Sequence, residues 1–425
     1  MKRLLAVGKA RLNCHPSAHG SHVLVFGGHG LDKAAAVCQH APVMNDSCKP
    51  VISAYYFPNY HADARNEARH GKGWTEWELT RAARPRFPGH TQPLVPAWGY
   101  EDEADPQVMQ RKISAAANHG VGHFIFDWYH YDDGPFLSRA LDEGFLGAPN
   151  PEGLQFSLMW ANHDWLDIFP ARPDAAPAKL YPGPVNAGSL DRIVAHVCER
   201  YFQSPHYFRI GGMPYFSIYD LGSFSHTHGG GEDGARRGLE RIRERVAAEG
   251  LPGIHLNCIS WDIGLLLGEE KHVNDPFLRA ERIGFDSATS YVWVHHVDIR
   301  NPELADYAVM EDLYFNMYQK ARDACGIPVF PNVTMGWDPS PRTHQDMPWD
   351  PAGGYPYSHM LRNNTPQAFG QAMRRALDAV APVKGGKIVT INAWNEWTEG
   401  SYLEPDTIHG MAYLEAIREA TRGDS

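Results

Sequence analysis

Two glutamates three residues apart, Glu396 and Glu399, lie in the stretch INAWNEWTEGSYLEPD, interleaved with Trp394 and Trp397. An apolar run over Lys387–Ile391 reads as a buried strand that feeds straight into them. Carboxylates in a partly dry aromatic setting are costly unless hydrogen-bonded, and like charges held close push at least one pKa upward. One neutral and one ionised carboxyl is the starting state for glycosidic bond cleavage, in which one group protonates the leaving oxygen and the other acts as base or nucleophile. Tryptophan faces are the surfaces on which a sugar ring stacks. A lone Glu-x-x-Glu is equally compatible with solvated glutamates beside core tryptophans, so the rest of the chain must decide.

The 425 residues suffice for one barrel-sized domain or two smaller ones. A net charge of -11, without a basic run of five, argues against nucleic acid or another polyphosphate as partner. Cys14, Cys38, Cys48, Cys198, Cys258 and Cys325 have no C-x-x-C spacing, which speaks for free thiols rather than a zinc ribbon or disulfide framework. The 23 histidines include His61, His70, His123, His130, His295 and His296 near polar clusters, but none has an H-E-x-x-H type of spacing, so no metal is expected. The apolar stretch Leu4–Gly8 is too short for a signal core and no run approaches 18 apolar residues, so the expectation is a cytoplasmic protein without a membrane span.

Residues 1–49 read as an amino-terminal extension, poorly ordered; its Val23–Phe26 run and Gly27-Gly28-His29-Gly30 lack a phosphate-loop pattern. From Pro50 a strand-helix rhythm begins. Strands are predicted at Val51–Phe57, Val121–Asp127, Gln155–Trp160, Met213–Tyr219, Ile254–Ser260, Phe285–Tyr291, Val329–Met335 and Lys387–Ile391. Helices are predicted at Pro106–His119, Ser189–Phe202, Ala235–Glu249, Glu303–Ala324, Pro366–Ala381 and Gly410–Ala420. Eight such units predict an α/β chain, a single-domain (β/α)8 TIM barrel with long βα loops over residues 50–425. A doubly wound sheet, the competing fold, rarely needs eight units in one domain.

Chemistry in such a barrel gathers at the carboxyl ends of the strands. Those ends carry Tyr56, Asp127, Trp128, Tyr129, Trp160, Asn162, Asp164, Tyr291, Trp337 and Asp338, then Trp394, Asn395 and Trp397 beside the two glutamates. Aromatic and carboxamide groups at one rim describe a carbohydrate groove better than a nucleotide pocket, although any single Tyr or Trp there can equally cap the core. Trp74, Glu76 and Trp77 in the loop after the first strand are candidates for an outer subsite, with a surface carboxylate as the alternative for Glu76. Arg342 is expected either to brace the pocket by pairing with Asp338 or to meet an acidic sugar.

The blocks YYFPNYH, GKGWTEW, FPGHTQP, DWYHYDDG, WANHDW, PNVTMGWDPSPR and NAWNEWTEGSYLEPD, in this order, resemble the WbsX-type proteins, relatives of the endo-α-mannosidases of glycoside hydrolase family 99. The resemblance runs from about Val51 to Ile417. It implies that Glu399 acts as general acid and then base, and that Glu396 draws the proton from the sugar's own 2-hydroxyl. That hydroxyl then attacks the anomeric carbon to give a 1,2-anhydro sugar, which water opens with net retention. The scheme departs from the usual paired-carboxylate mechanism, needs no metal or cofactor, and requires a 2-hydroxyl trans to the leaving oxygen, as in α-mannosides and α-rhamnosides. Thr398 stands where the mannosidase motif has His, which leaves the chemistry in place and the substrate open. The implied function is a retaining glycoside hydrolase on an oligo- or polysaccharide. The alternatives are a glycosyltransferase of surface polysaccharide (O-antigen or capsule) biosynthesis, against which the missing D-x-D-like nucleotide-sugar site counts, and a non-catalytic carbohydrate-binding barrel.

Overall fold

A computed structural model describes residues 49–380 and 387–422. The extension read over residues 1–49, with its glycine loop and Cys14, Cys38 and Cys48, lies outside the described residues apart from Lys49, as does Ala381 at the end of a predicted helix. From Val51 onward the chain forms eight parallel strands: β1 Val51–Tyr56, β2 Val121–Tyr131, β3 Gln155–Trp160, β4 Met213–Ile218, β5 His255–Ile259, β6 Ser287–Thr289, β7 in two pieces, Val329–Phe330 and Asn332–Thr334, and β8 Ile388–Asn392. The first piece of β7 pairs with β6 and the second with β8, whose other edge pairs with β1 from Val51↔Ile388 onward. The sheet thereby curls into the expected TIM barrel, with its two ends meeting at Pro331. Proline has no N–H for the ladder, which is why the single strand predicted over Val329–Met335 is split there.

The connecting helices are α1 Pro106–Asn118, α2 Ala187–Arg200, α3 Gly231–Ala248, α4 Pro276–Ile283, α5 Tyr307–Ala324, α6 Pro366–Val380 and, after β8, α7 Ala412–Arg422. In α1, Asp105 caps the first turn by accepting from Gln107 N–H at 2.8 Å, and Pro106 supplies a pre-set first residue. Its buried residues Met109, Lys112, Ile113 and Ala116 follow the helical period, so a lysine is carried inward on the apolar face. Two connections were not predicted. A short π-helix, Ala140–Phe145, links β2 to β3, and α4 links β5 to β6. Both are brief, and eight or fewer residues give periodicity little to register. Strand β2 also runs beyond Asp127 to Tyr131, because it continues as a hairpin with Gly134–Phe136.

The amino-terminal half of the barrel interior is polar and closed on itself. His123 lies between the hydroxyls of Ser53 and Ser157 at 2.8 and 2.9 Å, and burial lowers its pKa to about 3, keeping the ring neutral. Asn257 donates to Ser217 at 3.1 Å and accepts from Ser287 at 2.9 Å, while Asn332 donates to Thr390 at 3.1 Å. Such pairing removes the cost of burying these groups. Of the six cysteines, Cys198, Cys258 and Cys325 are free thiols, the first two buried. Among the described residues no helix is long and apolar enough to cross a membrane.

Candidate active site

Beyond β8 the chain makes a tight excursion: Asn395–Glu396 pairs antiparallel with Ser401–Tyr402, and Trp397–Glu399 form a 3-10 turn between them. Gly400 closes the turn at φ +63, where a Cβ would also come within 2.8 Å of Asp338 Cβ and 3.0 Å of its backbone N, so both conformation and space call for glycine. The turn aims Glu396 and Glu399 into a pocket of about 670 Å³, and leaves them only 4% and 5% exposed.

Arg342 is the hub of the carboxylates. Its Nε donates to Glu76 Oε1 at 2.9 Å, its Nη1 to Glu399 Oε1 and to the Tyr355 hydroxyl, and its Nη2 lies 3.5 Å from Glu396 Oε1. The guanidinium also lies over the rings of Phe57 and Phe169, 5.1 and 5.6 Å from their centroids. Tyr355 donates to Glu399 Oε1 at 2.5 Å. Tyr291 lies with its hydroxyl 2.9 Å from both Asp127 Oδ2 and Glu396 Oε2, and Asp127 Oδ1 has no protein partner. Burial pushes Asp127 and Glu396 well above the usual carboxylate range, the charge of Glu399 adding to the push on Glu396. Glu399 is also raised by burial, with Arg342 and Tyr355 pulling it back toward the ionised form. Burial thus favours the protonated forms of Asp127 and Glu396, which suits acid-base chemistry.

A second charged cluster lies behind the turn. Lys112 reaches from α1 to Glu103 at 2.7 Å and to Glu404 at 2.6 Å, and all three are buried. The indole N–H groups of Trp394 and Trp397 donate to the two oxygens of Glu404 at 3.0 and 2.8 Å. Asn395 donates to Glu103 at 2.6 Å and accepts from Phe57 N–H at 2.8 Å, and Tyr56 donates to Glu103 at 2.9 Å. This network clamps the residues on either side of Glu396 from below.

Of the residues singled out in the sequence, Asp127, Tyr129, Asp164, Tyr291, Trp337, Arg342, Glu396 and Glu399 come together around the pocket. Tyr56, Trp394, Asn395 and Trp397 belong instead to the clamp. Trp77 packs at 4.1 Å on Tyr60 and Trp160 donates to His130 O at 3.2 Å, both in the core with Trp128. Asn162 ties β3 to β4 by exchanging hydrogen bonds with the Asp220 backbone at 2.7 and 2.8 Å. Trp74, half-buried, stacks on His70 at 4.2 Å. Glu76 is neither at an outer subsite nor at the surface: it is fully buried beneath Arg342, with Asn59 donating at 2.6 Å and Thr398 also donating. The pairing of Asp338 with Arg342 does not form. Asp338 accepts from Gln92 at 2.7 Å and meets His90 at 2.8 Å, because Arg342 is drawn to the larger carboxylate cluster.

The candidates drawn from the sequence omit Trp165, although it stands at the rim after the third strand, and sequence reasoning missed Tyr355 and Phe169, which also line the pocket, and Glu269, which holds residues of its wall. Glu269 accepts from the backbone N–H of Leu265 and Leu266 at 2.7 and 2.9 Å and from Tyr219 at 3.2 Å; burial, with Asp220 nearby, pushes it up to about 7. The tryptophan in WANHDW was a readable signal for Trp165; Tyr355 lies in a loop with no such pattern. Among the described residues no three His, Cys, Asp or Glu side chains converge on a metal-sized site.

The family model described as Glycosyltransferase WbsX matches residues 52–417. Two uncharacterised WxcX proteins, from two strains of Xanthomonas campestris pv. campestris, are each 29% identical over 402 residues, covering 92% of this chain and 52% of theirs. The chain thus spans about half the length of these curated relatives. The fold is similar to that of a solved "glycoside hydrolase-like protein", with a TM-score of 0.60 and 12% identity over 91% of this chain and 97% of that one. It is also similar to a family 99 endo-α-mannosidase from Bacteroides thetaiotaomicron, with a TM-score of 0.52 and 13% identity over 89% and 97%. At such identities the structural likeness is one of fold, whereas the family model covers most of the sequence: this chain belongs to the WbsX family, built on a glycoside-hydrolase-like barrel.

Proposed function

We propose that the pocket cleaves a glycosidic bond in an oligo- or polysaccharide whose reacting sugar has its 2-hydroxyl trans to the leaving oxygen, an α-mannoside or α-rhamnoside in the first instance. The observation that carries this reading is the pair Glu396 and Glu399, together in an aromatic-walled pocket at the carboxyl end of β8 and bound to one arginine. Glu399 gives its proton to the leaving oxygen as the C1–O bond breaks. Glu396 takes the 2-hydroxyl proton as O2 bonds to C1. Water then opens the anhydro ring, losing a proton to Glu399 while Glu396 returns one to O2. Arg342 limits the charge that builds up on the pair, and Phe57, Trp165, Phe169 and Trp337 offer apolar faces to the sugar. Thr398 is buried with its hydroxyl on Glu76 and does not line the pocket, so its difference from the mannosidase motif leaves the two acids unobstructed.

A second reading, a glycosyltransferase of surface polysaccharide assembly, is favoured by the description of the family itself. Mass spectrometry of products from α-mannosyl, α-rhamnosyl and β-galactosyl oligosaccharides, with and without nucleotide sugars, separates the two. The expected result is cleavage without nucleotide, with Glu399→Gln slowing natural linkages by about 10²–10⁴-fold and activated aryl glycosides far less. Chain extension that depends on a nucleotide sugar would establish the transferase, and binding without turnover in the unaltered protein would leave a carbohydrate-binding barrel.

A further inference from the structure

The hydroxyl of Tyr291 stands 2.9 Å from two carboxyl groups, Asp127 Oδ2 and Glu396 Oε2. A phenol has one proton to donate. If both carboxyls were ionised, one of the two contacts would set lone pair against lone pair in a buried site. Both contacts become hydrogen bonds when one carboxyl carries a proton and donates it to the phenol oxygen while Tyr291 donates to the other. The surroundings favour keeping that proton: Asp127, Glu396, Glu399 and Glu76 are all buried around one cation, Arg342, and burial holds Asp127 and Glu396 toward the neutral form. The other titratable groups facing the unit are Tyr55, Tyr129 and Tyr219, all raised by burial and so neutral.

We propose that Asp127, Tyr291 and Glu396 share one proton, and that Asp127 acts as a positioning residue that takes this proton through Tyr291 and thereby frees Glu396 to act as a base. The shift is balanced. Glu396 gives its proton to the Tyr291 oxygen as Tyr291 gives its own to Asp127, so the unit's charge is unchanged, Tyr291 remains neutral, and its new O–H points at the Glu396 carboxylate. Without the shift a protonated Glu396 cannot accept the 2-hydroxyl proton. This inference rests on the hydrolase reading for the step it serves, while the shared proton itself is a property of the free protein.

Two measurements test it separately. The first is the pH profile of kcat/KM for the unaltered protein, Asp127→Asn, Tyr291→Phe and the double variant. A dyad sharing a proton loses its first proton more readily than a lone buried acid, so the acid limb of each variant should move to higher pH by about one unit or more, with activity recovering above it. The double variant should resemble the single ones, because either change breaks the same relay. A loss by one constant factor at every pH, or a double loss equal to the product of the single losses, would overturn the proposal. The second is infrared spectroscopy of the ligand-free protein near neutral pH, where a carboxylic-acid C=O band should vanish or move in Asp127→Asn and move in Tyr291→Phe. A band indifferent to both changes also overturns it. If no sugar is cleaved by the unaltered protein, the hydrolase reading fails alone and the infrared result still decides whether the proton is shared.

Discussion

The pocket cluster and the clamp behind it are made from similar parts and do different things. Each gathers buried carboxyls around one cation, Arg342 in the first and Lys112 in the second. In the clamp, two carboxyls meet the lysine and four neutral donors, from Tyr56, Trp394, Asn395 and Trp397. In the pocket, Glu76, Glu396 and Glu399 share the arginine, and five neutral donors, from Asn59, Thr398, Tyr355, Tyr291 and Asn392, serve these three and Asp127; one oxygen in each cluster, Asp127 Oδ1 and Glu103 Oε2, has no protein partner. With two neutral donors for each carboxyl beside its lysine, the clamp holds the backbone in place. With little more than one for each, the pocket favours carboxyls that keep a proton and can pass it on.

The clamp half of this comparison breaks most visibly at Lys112. Lys112→Met strands two buried carboxyls and should cost about 3–5 kcal/mol, read as a lower urea midpoint. Stability close to that of the unaltered protein would mean that the clamp is not a charge-balanced unit. A somewhat smaller effect is expected at Glu269, the buried carboxyl that holds Leu265, Leu266 and Tyr219 of the pocket wall. Its pKa rises from 4.5 to about 7 on folding, so the native state binds the extra proton between these values and stability falls as pH rises through that window. The loss is up to ~3 kcal/mol, and Glu269→Gln should remove it, flattening the unfolding midpoint from about pH 4.5 to 7. A slope unchanged in the variant would place the titration elsewhere. The smallest effect belongs to Trp74, half-buried on His70 and 6.2 Å from Phe169 of the pocket wall. Trp74→Ala should leave unfolding nearly unchanged and raise KM by the equivalent of about 1 kcal/mol if long substrates reach it. No change in KM with the longest oligosaccharide would confine binding to the pocket itself.

The barrel was legible because its strands are short β-branched and aromatic runs at regular intervals, and Gln155–Trp160 coincides with its prediction residue for residue. The split at Pro331 was legible in principle, since a proline inside a strand forfeits a ladder bond. The two glutamates stood out through their spacing at a strand end. What surrounds them did not, because Arg342 meets Glu76 across 266 residues and Tyr355 meets Glu399 across 44, and neither separation leaves a local pattern. Tryptophan was the main source of misplacement. Its ring suits a sugar face, but its N–H needs a buried acceptor, and Glu404 supplies one to both Trp394 and Trp397. An acid five residues beyond Glu399 was therefore the sign that those two rings face inward.

Strand β8 fills the gap between β1 and β7, and the turn bearing Glu396 and Glu399 follows it directly. During synthesis, residues 51–56 emerge long before 388–392, so the first strand must wait for a neighbour more than 330 residues downstream. A nascent chain that has made seven strands holds much of the pocket wall but neither acid. The ribosome therefore completes the scaffold before it delivers the two glutamates, and premature termination anywhere upstream of β8 yields an open sheet with an unpaired edge, a substrate for chaperones and proteases rather than a shortened barrel.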